Sequence, residues 1–588
     1  MLPSNTDRKP PFRYFLSNVR QFRRKYTRHL MSIRNNKRML IVPAVLLLLV
    51  FGVMYAFSSS TEFPGRPRTP KSTVAQEPDP DSSSGPAKTE VIDSPKAPPP
   101  PSSPQQTTQA SISVPLLPSS ALPDADWSPL SSKKDPRSNI DTKRRDAIKE
   151  GMLHAWRGYE QYAWGHDELR PVTNTFNNWL GMGATIVDAL DTLWIMDLKD
   201  EFKKARDWTA EKLDFDKNMD ISVFETTIRA LGGLEAAYDL SGDPMFLEKA
   251  RKLADRLMFA FDTPTGIPCG TLNLKTGSRS CHSWTGFSAV LAEIGTVQLE
   301  FRELSHHVGD PKYQEKVDSI IRQIDEKNVQ DGLYPLFVDT NSGSFTTSQV
   351  SYGALGDSFY EYLLKTHLHA GRNESVAYYR RMYDGAINGM AKFLIQKSDP
   401  SGLTYVAEWN GGRPVHKMDE LACFVPGMLA LGSVHSPNRE RDLQLSKDIM
   451  ETCYKMWERQ ASGIAPENVQ FTGGRDFVNG ANYYLLRPET VESLFYLWRF
   501  TKDEKYRDQG WKIWEAIQKQ CRTNSGYSGL REVSQPVPQK DDSMQSFFLA
   551  ETLKYLYLLF SEDELIPLNE WVFNTEAHPL RLLTIPHP

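Results

Sequence analysis

From residue 140 onward the chain repeats one pattern of apolar and polar positions. An apolar stretch with helical periodicity ends in a short polar turn, and a more charged, amphipathic stretch follows it. The pattern recurs as DLKDEFKKA, DLSGDPMFLEKA, HHVGDPKYQEKV, AGRNESVAYY, HSPNRERDLQL and FTKDEKYRDQG. Because few stretches alternate in the way that strands require, this periodicity predicts an all-α fold.

The spacing of the turns predicts paired helices. The turns centre near Asp200, Asp243, Asp310, Asn373, Asn438, Asp503 and, in SEDEL, Glu562. Four intervals are 67, 63, 65 and 65 residues, and the outermost two are 43 and 59. Each unit has room for an inner helix, an outer helix and a long loop. With one more outer helix near Arg144 to Tyr162, seven pairs can be counted, and they fit either a closed (α/α)7 barrel or an open solenoid.

The first 140 residues follow different patterns. Residues 39–57, MLIVPAVLLLLVFGVMYAF, are uncharged and mostly apolar, about enough to cross a ~30 Å hydrocarbon core as a single transmembrane anchor. Residues 1–38 carry eleven Lys or Arg and one acid, which predicts a cytoplasmic tail. A cleaved signal peptide is disfavoured because the basic and apolar segments are both too long. Residues 58–140 are rich in Pro and Ser and predict a disordered stem before a folded domain at 141–588.

Charge narrows the class of partner. The 588 residues carry a formal net charge of −4, but without residues 1–38 the remaining 58 basic and 72 acidic residues give −14. An acidic body is a poor match for polyanions, so we expect no nucleic-acid partner.

Acidic residues recur at the predicted starts of inner helices. Glu225 lies in ISVFETTIRALGG, Asp357 in GALGDSFYEYLL, Glu489 in LLRPETVESLFYLW and Glu551 in QSFFLAETLKYLYLL. If the inner helices run in one direction, these acids gather at one end of the fold. One acid in a first turn is typical of helix-dipole stabilisation. Four in apolar settings indicate desolvated carboxyls whose pKa values are driven apart, as a general acid and a general base require.

Arginines and aromatic residues accompany the acids. Arg229 follows Glu225 by four residues and Arg487 precedes Glu489 by two, so each is either a plain ion-pair partner or a substrate clamp. Three aromatic residues lie in the same segments: Phe224, Phe359 and Phe547. Their rings either belong to the core or stack on a sugar.

Six motifs together resemble a known family. FETTIR, GDSFYEYLLK, KMDELACF, LLRPETVESL, SFFLAETLKYLYLLF and FNTEAHPL are similar, in this order, to glycoside hydrolase family 47, the class I α-1,2-mannosidases that trim N-glycans. The resemblance covers about residues 143–582. It implies a closed (α/α)7 barrel plugged by a C-terminal hairpin, one bound Ca2+ and inversion of the anomeric configuration. The alternative is a glycan-binding quality-control protein on the same barrel that hydrolyses little.

The resemblance also implies roles for residues. Glu489 resembles the base that activates water, Glu225 resembles an acid acting through an intervening water, and Asp357 is the rival acid. Thr575 resembles the residue that binds Ca2+ through its carbonyl and hydroxyl oxygens, a ligand type that suits a hard cation. Other matched residues line the sugar and metal site: Arg229, Arg487, Glu492, Phe547, Glu551 and Glu576.

Two positions depart from common family patterns. Leu355 stands where the endoplasmic-reticulum type has Arg and resembles the Golgi type, which implies trimming of Man9 or Man8 toward Man5 on high-mannose N-glycans of glycoproteins. Glu420 stands where many members have His, which puts the contact assigned to that His in doubt. With the predicted anchor, the resemblance implies a single-pass type II Golgi membrane protein with a luminal catalytic domain, the endoplasmic reticulum being the alternative.

Several residues have predicted structural or modification roles. Cys423 and Cys453 match the family's disulfide pair, Cys269 and Cys281 either close a local loop or stay free, and Cys521 is left over. Asn373 begins the one N-x-[ST] sequence, in a predicted exposed turn. Lone histidines without a spaced partner are usually structural, which is the expectation for His166 and His578.

Overall fold

The structure, a computed structural model, describes residues 140–584. Within that range the fold is mostly helical, as predicted, and inner and outer helices alternate along the chain. The inner helices, some interrupted by π or 3-10 turns, are Ala184–Ile195; Val223–Glu225, Thr226–Leu231 and Gly232–Ser241; Leu291–Ile294 and Gln298–Val308; Asp357–His369; Glu420–Phe424 and Val425–Ser433; Glu489–Thr501; and Phe548–Thr552 with Leu553–Leu559. The outer helices are Thr142–Tyr162, Lys199–Lys212, Pro244–Leu257, Lys312–Glu326, Ala377–Gly389, Arg439–Glu458 and Glu504–Gln520. Further short π or 3-10 segments are Met258–Phe261, Ser283–Thr285, Gln330–Gly332, Glu374–Val376, Met390–Leu394 and Asp563–Leu565.

Burial distinguishes the two kinds of helix. In the first inner helix, Ala184–Ile195, every residue except Trp194 is buried. In the outer helix Lys199–Lys212, only Phe202, Ala205 and Thr209 are buried. A helix that is apolar all round belongs in an interior, whereas a narrow apolar stripe suits a helix that packs on one side.

The polar turns that set the repeat act as helix caps. Gly242 ends the second inner helix at φ +70°, a conformation that suits a residue without a Cβ. Asp243 then accepts a hydrogen bond from the Met245 amide at 3.0 Å, and Pro244 opens the outer helix. Asp503 caps its helix in the same way, accepting from the Lys505 amide at 3.1 Å. The turn residues therefore form the boundary that their spacing predicted.

The inner helices close into a ring. Each packs against the next, and the start of the seventh, Phe548–Thr552, packs against the first, Ala184–Ile195. The outer helix Thr142–Tyr162 packs against the seventh inner helix across the closure. Seven pairs and these contacts make an (α/α)7 barrel, which resolves the choice that spacing left open.

A C-terminal hairpin fills the middle of the ring. Its strands, Trp571–Phe573 and Pro579–Arg581, pair antiparallel and pack on inner helices. Ala236, Leu299, Tyr362, Val572, Leu580 and Leu582 form one apolar cluster between hairpin and helices. The tip of the hairpin, residues 574–578, therefore lies inside the barrel.

Short antiparallel ribbons occur in the loops, a feature that the all-α prediction did not include. The paired strands are Glu168–Arg170 with Thr175–Asn177; Asp220–Ser222 with Thr271–Asn273 and Arg279–Ser280; Ala289–Val290 with Phe337–Val338; Ile395–Lys397 with Thr404–Val406; Glu408–Asn410 with Arg413–Val415; Lys417–Asp419 with Asn468–Phe471 and Phe477–Asn479; and Arg522–Thr523 with Gly526–Tyr527. Each has two to four residues, too few to give a clear alternating pattern.

The predicted tail, anchor and most of the stem, residues 1–139, lie outside the described residues. Between residues 140 and 584, no helix combines the length and apolar character needed to span a bilayer.

Candidate active site

The N-terminal ends of the inner helices surround one cavity of about 320 Å3. Because the inner helices run in one direction, residues that are far apart in the chain meet there. The predicted site residues on its wall are Glu225, Arg229, Leu355, Asp357, Arg487, Glu489, Glu492, Phe547, Glu551, Thr575 and Glu576. Glu420 is the one predicted site residue that is not on this wall.

Arg229 links three acids on one side of the cavity. Its Nε donates to Glu225 Oε2 at 2.7 Å, and its Nη1 donates to Glu576 and lies 3.4 Å from Asp188 Oδ2. Arg229 lies in the π-helical turn Thr226–Leu231, an irregularity often found at functional sites. The guanidinium thus connects the inner helix that carries Glu225 to the hairpin tip.

Arg487 organises the other side. It donates two hydrogen bonds to Glu467, from Nε to Oε2 at 2.7 Å and from Nη2 to Oε1 at 2.5 Å. Its Nη1 lies 3.8 Å from Glu489 Oε1. A bidentate pair fixes the guanidinium plane, so Arg487 presents a fixed positive charge to Glu489.

Glu420, whose place among the sugar-site residues the resemblance left in doubt, lies behind Glu489 rather than on the cavity wall. Its side chain is 1% exposed, its Oε1 accepts from Thr490 Oγ1 at 2.7 Å, and its carboxyl interacts electrostatically with that of Glu489. Burial, and then the negative charge of Glu420, raise the pKa of Glu489 well above its usual range. Two buried carboxyls in contact share a proton because both cannot ionise at low cost.

The remaining cavity acids are also perturbed. Burial raises the pKa of Asp357 to about 7. Burial also raises the pKa values of Glu492 and Glu576 to about 8, against the opposing charges of Lys365 and Arg229 respectively. The pKa of Glu551 is raised well above its usual range by burial and by its acidic neighbours. Such a concentration of buried acids is typical of a catalytic or cation-binding site.

The hydrogen bonds of Asn574 account for the burial of polar residues at the hairpin tip. It is fully buried, and its Nδ2 donates to the Ile228 carbonyl at 2.9 Å and to Glu300 Oε1 at 2.8 Å. Its Oδ1 accepts from the amides of Glu576 and His578, each at 2.9 Å. These bonds satisfy the amide group and hold the tip so that Thr575 and Glu576 face the cavity.

His578 anchors the tip from the other side. It is fully buried, with Nδ1 3.2 Å from Asp191 Oδ2 and Nε2 3.4 Å from Asp188 Oδ1. Lys554 completes the network, donating to Asp191 Oδ2 and to the Ala577 carbonyl, each at 2.6 Å. The expectation of a structural role thus agrees with the contacts of His578, and His166 likewise stacks on Phe176 and bonds to Asn178.

The cavity offers oxygen ligands to a cation. Thr575 contributes a hydroxyl and a carbonyl at the tip, and the carboxyls of Glu361, Glu492, Glu551 and Glu576 share the same wall. Hard divalent cations prefer such all-oxygen surroundings. A cation would also offset the repulsion that raises the pKa of Glu551, so the residues present fit a metal at Thr575.

The backbone is held in unusual conformations around the cavity. Leu355, Leu486 and Ala577 all have positive φ, at +74°, +68° and +59°. Non-glycine residues adopt this region rarely and at some cost, and such residues cluster at functional sites. The carbonyl of Leu355 is fixed by a 3.0 Å hydrogen bond from the Ala292 amide.

The aromatic candidates divide into two roles. Phe224 and Phe547 line the cavity, and the Phe547 ring lies 5.5 Å from the Arg229 guanidinium carbon. Phe359 is fully buried and packs against Tyr334 and Tyr360. Phe359 is therefore a core residue.

Two further cavity acids were missed from the sequence. Glu361 lies one helical turn after Asp357 and pairs with Lys365, which is 3.9 Å from Glu492. The four-residue spacing in DSFYE would have placed Glu361 on the face of Asp357. Glu293 accepts from His282 at 2.9 Å, and it lies in a four-residue helix, Leu291–Ile294, whose start no local pattern marked.

The cysteine and glycosylation candidates lie away from the cavity wall. Cys423 and Cys453 have sulfurs 2.13 Å apart, and those of Cys269 and Cys281 are 2.10 Å apart, so both pairs are at bonding distance. Cys521 is free and buried. Asn373 is exposed in the turn before Ala377–Gly389, as predicted, with its Oδ1 accepting from the Ser375 amide at 2.9 Å.

Comparison with known proteins places the chain in a family. Residues 151–582 match Glycosyl hydrolase family 47. The chain is 51% identical over 460 residues to a mannosyl-oligosaccharide 1,2-alpha-mannosidase of Arabidopsis thaliana, covering 77% of this chain and 82% of that protein. It is 49% identical over 450 residues to an endoplasmic reticulum mannosyl-oligosaccharide 1,2-alpha-mannosidase of Rattus norvegicus, covering 74% and 68%.

A solved structure agrees with this placement. The alpha-1,2-mannosidase of Trichoderma reesei superposes with a TM-score of 0.71 at 32% identity, over 75% of this chain and 99% of that one. Both the motifs and the barrel are thus shared with these enzymes. The chain belongs to glycosyl hydrolase family 47 and is a glycoside hydrolase.

Proposed function

We propose that the protein is a Ca2+-dependent, inverting exo-α-1,2-mannosidase that trims Man9 and Man8 N-glycans toward Man5 on maturing glycoproteins. The observation that carries the proposal is the meeting of Glu225, Asp357 and Glu489 with Thr575 around one cavity. A volume of about 320 Å3 lies at the lower end of small-molecule sites, which suits one terminal sugar rather than a long chain. The names of the related enzymes give the substrate class.

Glu489 is assigned the role of base. It begins its inner helix and faces the cavity, and Arg487 near its Oε1 opposes the rise in its pKa that burial and Glu420 cause. The ionised carboxylate accepts a proton from the water that attacks the anomeric carbon. Inversion requires room for that water between acid and base, about 6.5 to 9.5 Å.

Asp357 and Glu225 both remain candidates for proton delivery to the leaving oxygen. The pKa of Asp357, raised by burial to about 7, suits a carboxyl that is protonated at neutral pH. Glu225 accepts a hydrogen bond from Arg229 at 2.7 Å, so one of its carboxyl oxygens is already engaged. This difference supports Asp357 as the donor, with Glu225 holding a water or a sugar hydroxyl.

Thr575 is assigned to Ca2+ through its hydroxyl and carbonyl oxygens, with neighbouring carboxylates orienting coordinated water. When bound, Ca2+ supplies positive charge that orders two hydroxyls of the terminal mannose. Arg229 holds Glu576 beside this position, and the Phe547 ring offers an apolar face to the sugar C–H groups.

The proposed location is the Golgi membrane, type II, with the barrel in the lumen. The support is the basic segment 1–38 followed by the apolar segment 39–57. Related enzymes that carry an endoplasmic reticulum name make that compartment the alternative. A full chain fused to a fluorescent protein should colocalise with Golgi markers.

The decisive experiment compares the purified full chain with its Glu489→Gln variant on Man9GlcNAc2, following the mass of the glycan and the release of mannose. We expect Ca2+-dependent progress to Man5 by the wild type and a loss of turnover of at least about 10^3-fold in the variant, with Ca2+-dependent glycan binding kept. Binding without release by the wild type would instead favour the glycan-binding quality-control function.

A further inference from the structure

A second cluster of titratable side chains lies at the far ends of the inner helices from the cavity. Asp239 is in the last turns of Gly232–Ser241, and Glu303 and His307 are in Gln298–Val308. His369 is the last residue of Asp357–His369. The side chains of all four are at most 4% exposed, so their charges are compensated within the barrel.

Three ligand-type atoms converge in this cluster. His307 Nε2 lies 2.8 Å from Asp239 Oδ1 and 2.8 Å from Glu303 Oε1, and the ligand atoms all lie within 4.8 Å of one another. A ring nitrogen carries at most one hydrogen, and its direction suits Asp239. Glu303 Oε1 is buried and accepts no well-aligned hydrogen bond from residues 140–584.

The other oxygen of each carboxylate is already held. Asp239 Oδ2 accepts from the Arg581 amide at 2.9 Å, and Glu303 Oε2 lies 2.6 Å from His369 Nε2. Outer contacts of this kind orient the ligands of protein metal sites. Each carboxylate therefore directs one fixed oxygen toward His307.

Glu235 is a second, independent indication that a cation would be stabilised beside this cluster. It lies one turn before Asp239, is fully buried, and neither of its carboxyl oxygens has a hydrogen-bond partner among the described residues. The acidic groups that act on it are Glu303, Glu300 and Asp239. A buried carboxyl without a partner is costly, and a nearby cation would lower that cost.

We propose that Asp239, Glu303 and His307 form a second metal site, separate from Thr575, that binds a divalent transition ion of the zinc class. One imidazole nitrogen with two carboxylate oxygens is a donor set that Zn2+ accepts, whereas Ca2+ takes oxygen ligands. The ion joins the second and third inner helices and, through Asp239, fixes the strand that contains Arg581. Binding requires that His307 Nε2 carry no hydrogen, so that its lone pair is available to the ion.

The test uses the purified full chain, stripped with a chelator and returned to saturating Ca2+ so that the Thr575 site does not compete. Zn2+ is titrated by calorimetry, bound metal is counted by mass spectrometry, and Co2+ is added in parallel to record its visible absorption bands. We expect one Zn2+ per chain and Co2+ bands that added Zn2+ removes.

Matched variants locate the ion. His307→Gln and Glu303→Gln should each weaken Zn2+ binding by about 100-fold or more. His367→Gln should bind as the wild type does, because His367 is buried on the same helix as His369 but lies near Arg380 and Arg372. Circular dichroism checks that each variant is folded.

Two results would overturn the proposal. One is a wild-type chain that takes up no Zn2+ at micromolar concentration, which requires no variant to interpret. The other is undiminished binding by a folded His307→Gln or Glu303→Gln chain, which would place the ion elsewhere.

Discussion

At the scale of single residues, the chemistry of the cavity depends on pairs of charged groups. Arg229 donates hydrogen bonds to Glu225 and Glu576, and Arg487 donates to Glu467 and lies near Glu489, so each guanidinium offsets the charge of more than one carboxylate. Glu420 has the opposite effect on Glu489. The negative charge of this second buried carboxyl raises the pKa of Glu489. Burial is the largest cause of the raised pKa values of the cavity acids, and neighbouring charges then raise or lower those values further.

Glu420 should set the acid limb of the pH profile. Glu489 must be ionised to act as a base, so activity falls as the pH drops through its pKa, which Glu420 raises. In Glu420→Gln the negative charge is gone and that pKa falls. We expect the acid limb of kcat/KM to move down by about one pH unit or more.

The control for this measurement is Glu570→Gln, whose side chain is 41% exposed at the surface and which should leave the profile unchanged. An acid limb at the same pH in wild type and Glu420→Gln would show that Glu489 does not control it.

Leu355 should govern which mannoses leave. Its side chain lines the cavity from a backbone fixed at φ +74°, so a longer charged side chain at the same position would occupy space open to glycan branches. We expect Leu355→Arg to stop at fewer products than the wild type, with glycan masses after extended digestion as the measurement. Leu355→Met keeps the volume and should keep the wild-type series; an identical series from Leu355→Arg would refute the role.

At the scale of elements, the hairpin is the part that turns a helical ring into a site. Its two strands pack on inner helices, while Asn574 and His578 fix the tip by buried polar contacts with distant residues in addition to the local bonds of the turn. The backbones of the inner helices surround the axis of the ring, so backbone carbonyls on that axis must come from another element. The tip delivers Thr575 and Glu576 to that axis.

His578→Gln should destabilise the fold in a pH-dependent way. Burial opposes protonation, but Asp191 and Asp188 outweigh it and raise the pKa of His578 to about 9. Since this folded-state pKa is above the unfolded value, the contribution is complete below about pH 6.5 and is lost as pH rises through about 9.

We expect the variant to lose about 3 kcal/mol of unfolding free energy at pH 6 and less at pH 9, measured by urea denaturation at constant Ca2+. A difference that stays constant between these pH values would show that the charge of His578 does not act through Asp188 and Asp191.

At the scale of the whole molecule, the two ends of the helical ring carry different sets of charged side chains. The N-terminal ends of the inner helices carry the cavity acids, and the C-terminal ends carry Asp239, Glu303 and His307. Because both ends contact the same hairpin, an ion bound at either end would stabilise the closed ring if it binds the folded state alone.

Calcium should therefore raise the melting temperature. At a Ca2+ concentration of 100 times Kd, the folded state gains about 2.7 kcal/mol, and EDTA should remove that gain in a thermal-shift assay of the zinc-free chain. The Thr575→Ala variant should lose the calcium-dependent increase in melting temperature. The Thr472→Ala variant, changed at an exposed position, should keep that increase. A full calcium shift in Thr575→Ala would move the site away from Thr575.

The sequence by itself determined the helices, their pairing and the end at which the acids gather. The outer helices are more amphipathic than the inner ones, and capping turns such as Asp243 and Asp503 mark their boundaries, so these features are local and visible in the chain. The family motifs added the candidate residues, and membership is confirmed.

Only the tertiary structure decided what each charged group contacts. Whether seven pairs close, that Glu420 lies behind Glu489, and that Asp239 meets His307 all depend on contacts between residues distant in the chain. Burial and neighbouring charge set the pKa values of these groups, and both arise only when the ring is assembled. Local periodicity determines which face of a helix is buried. Tertiary packing determines which side chains that face contacts.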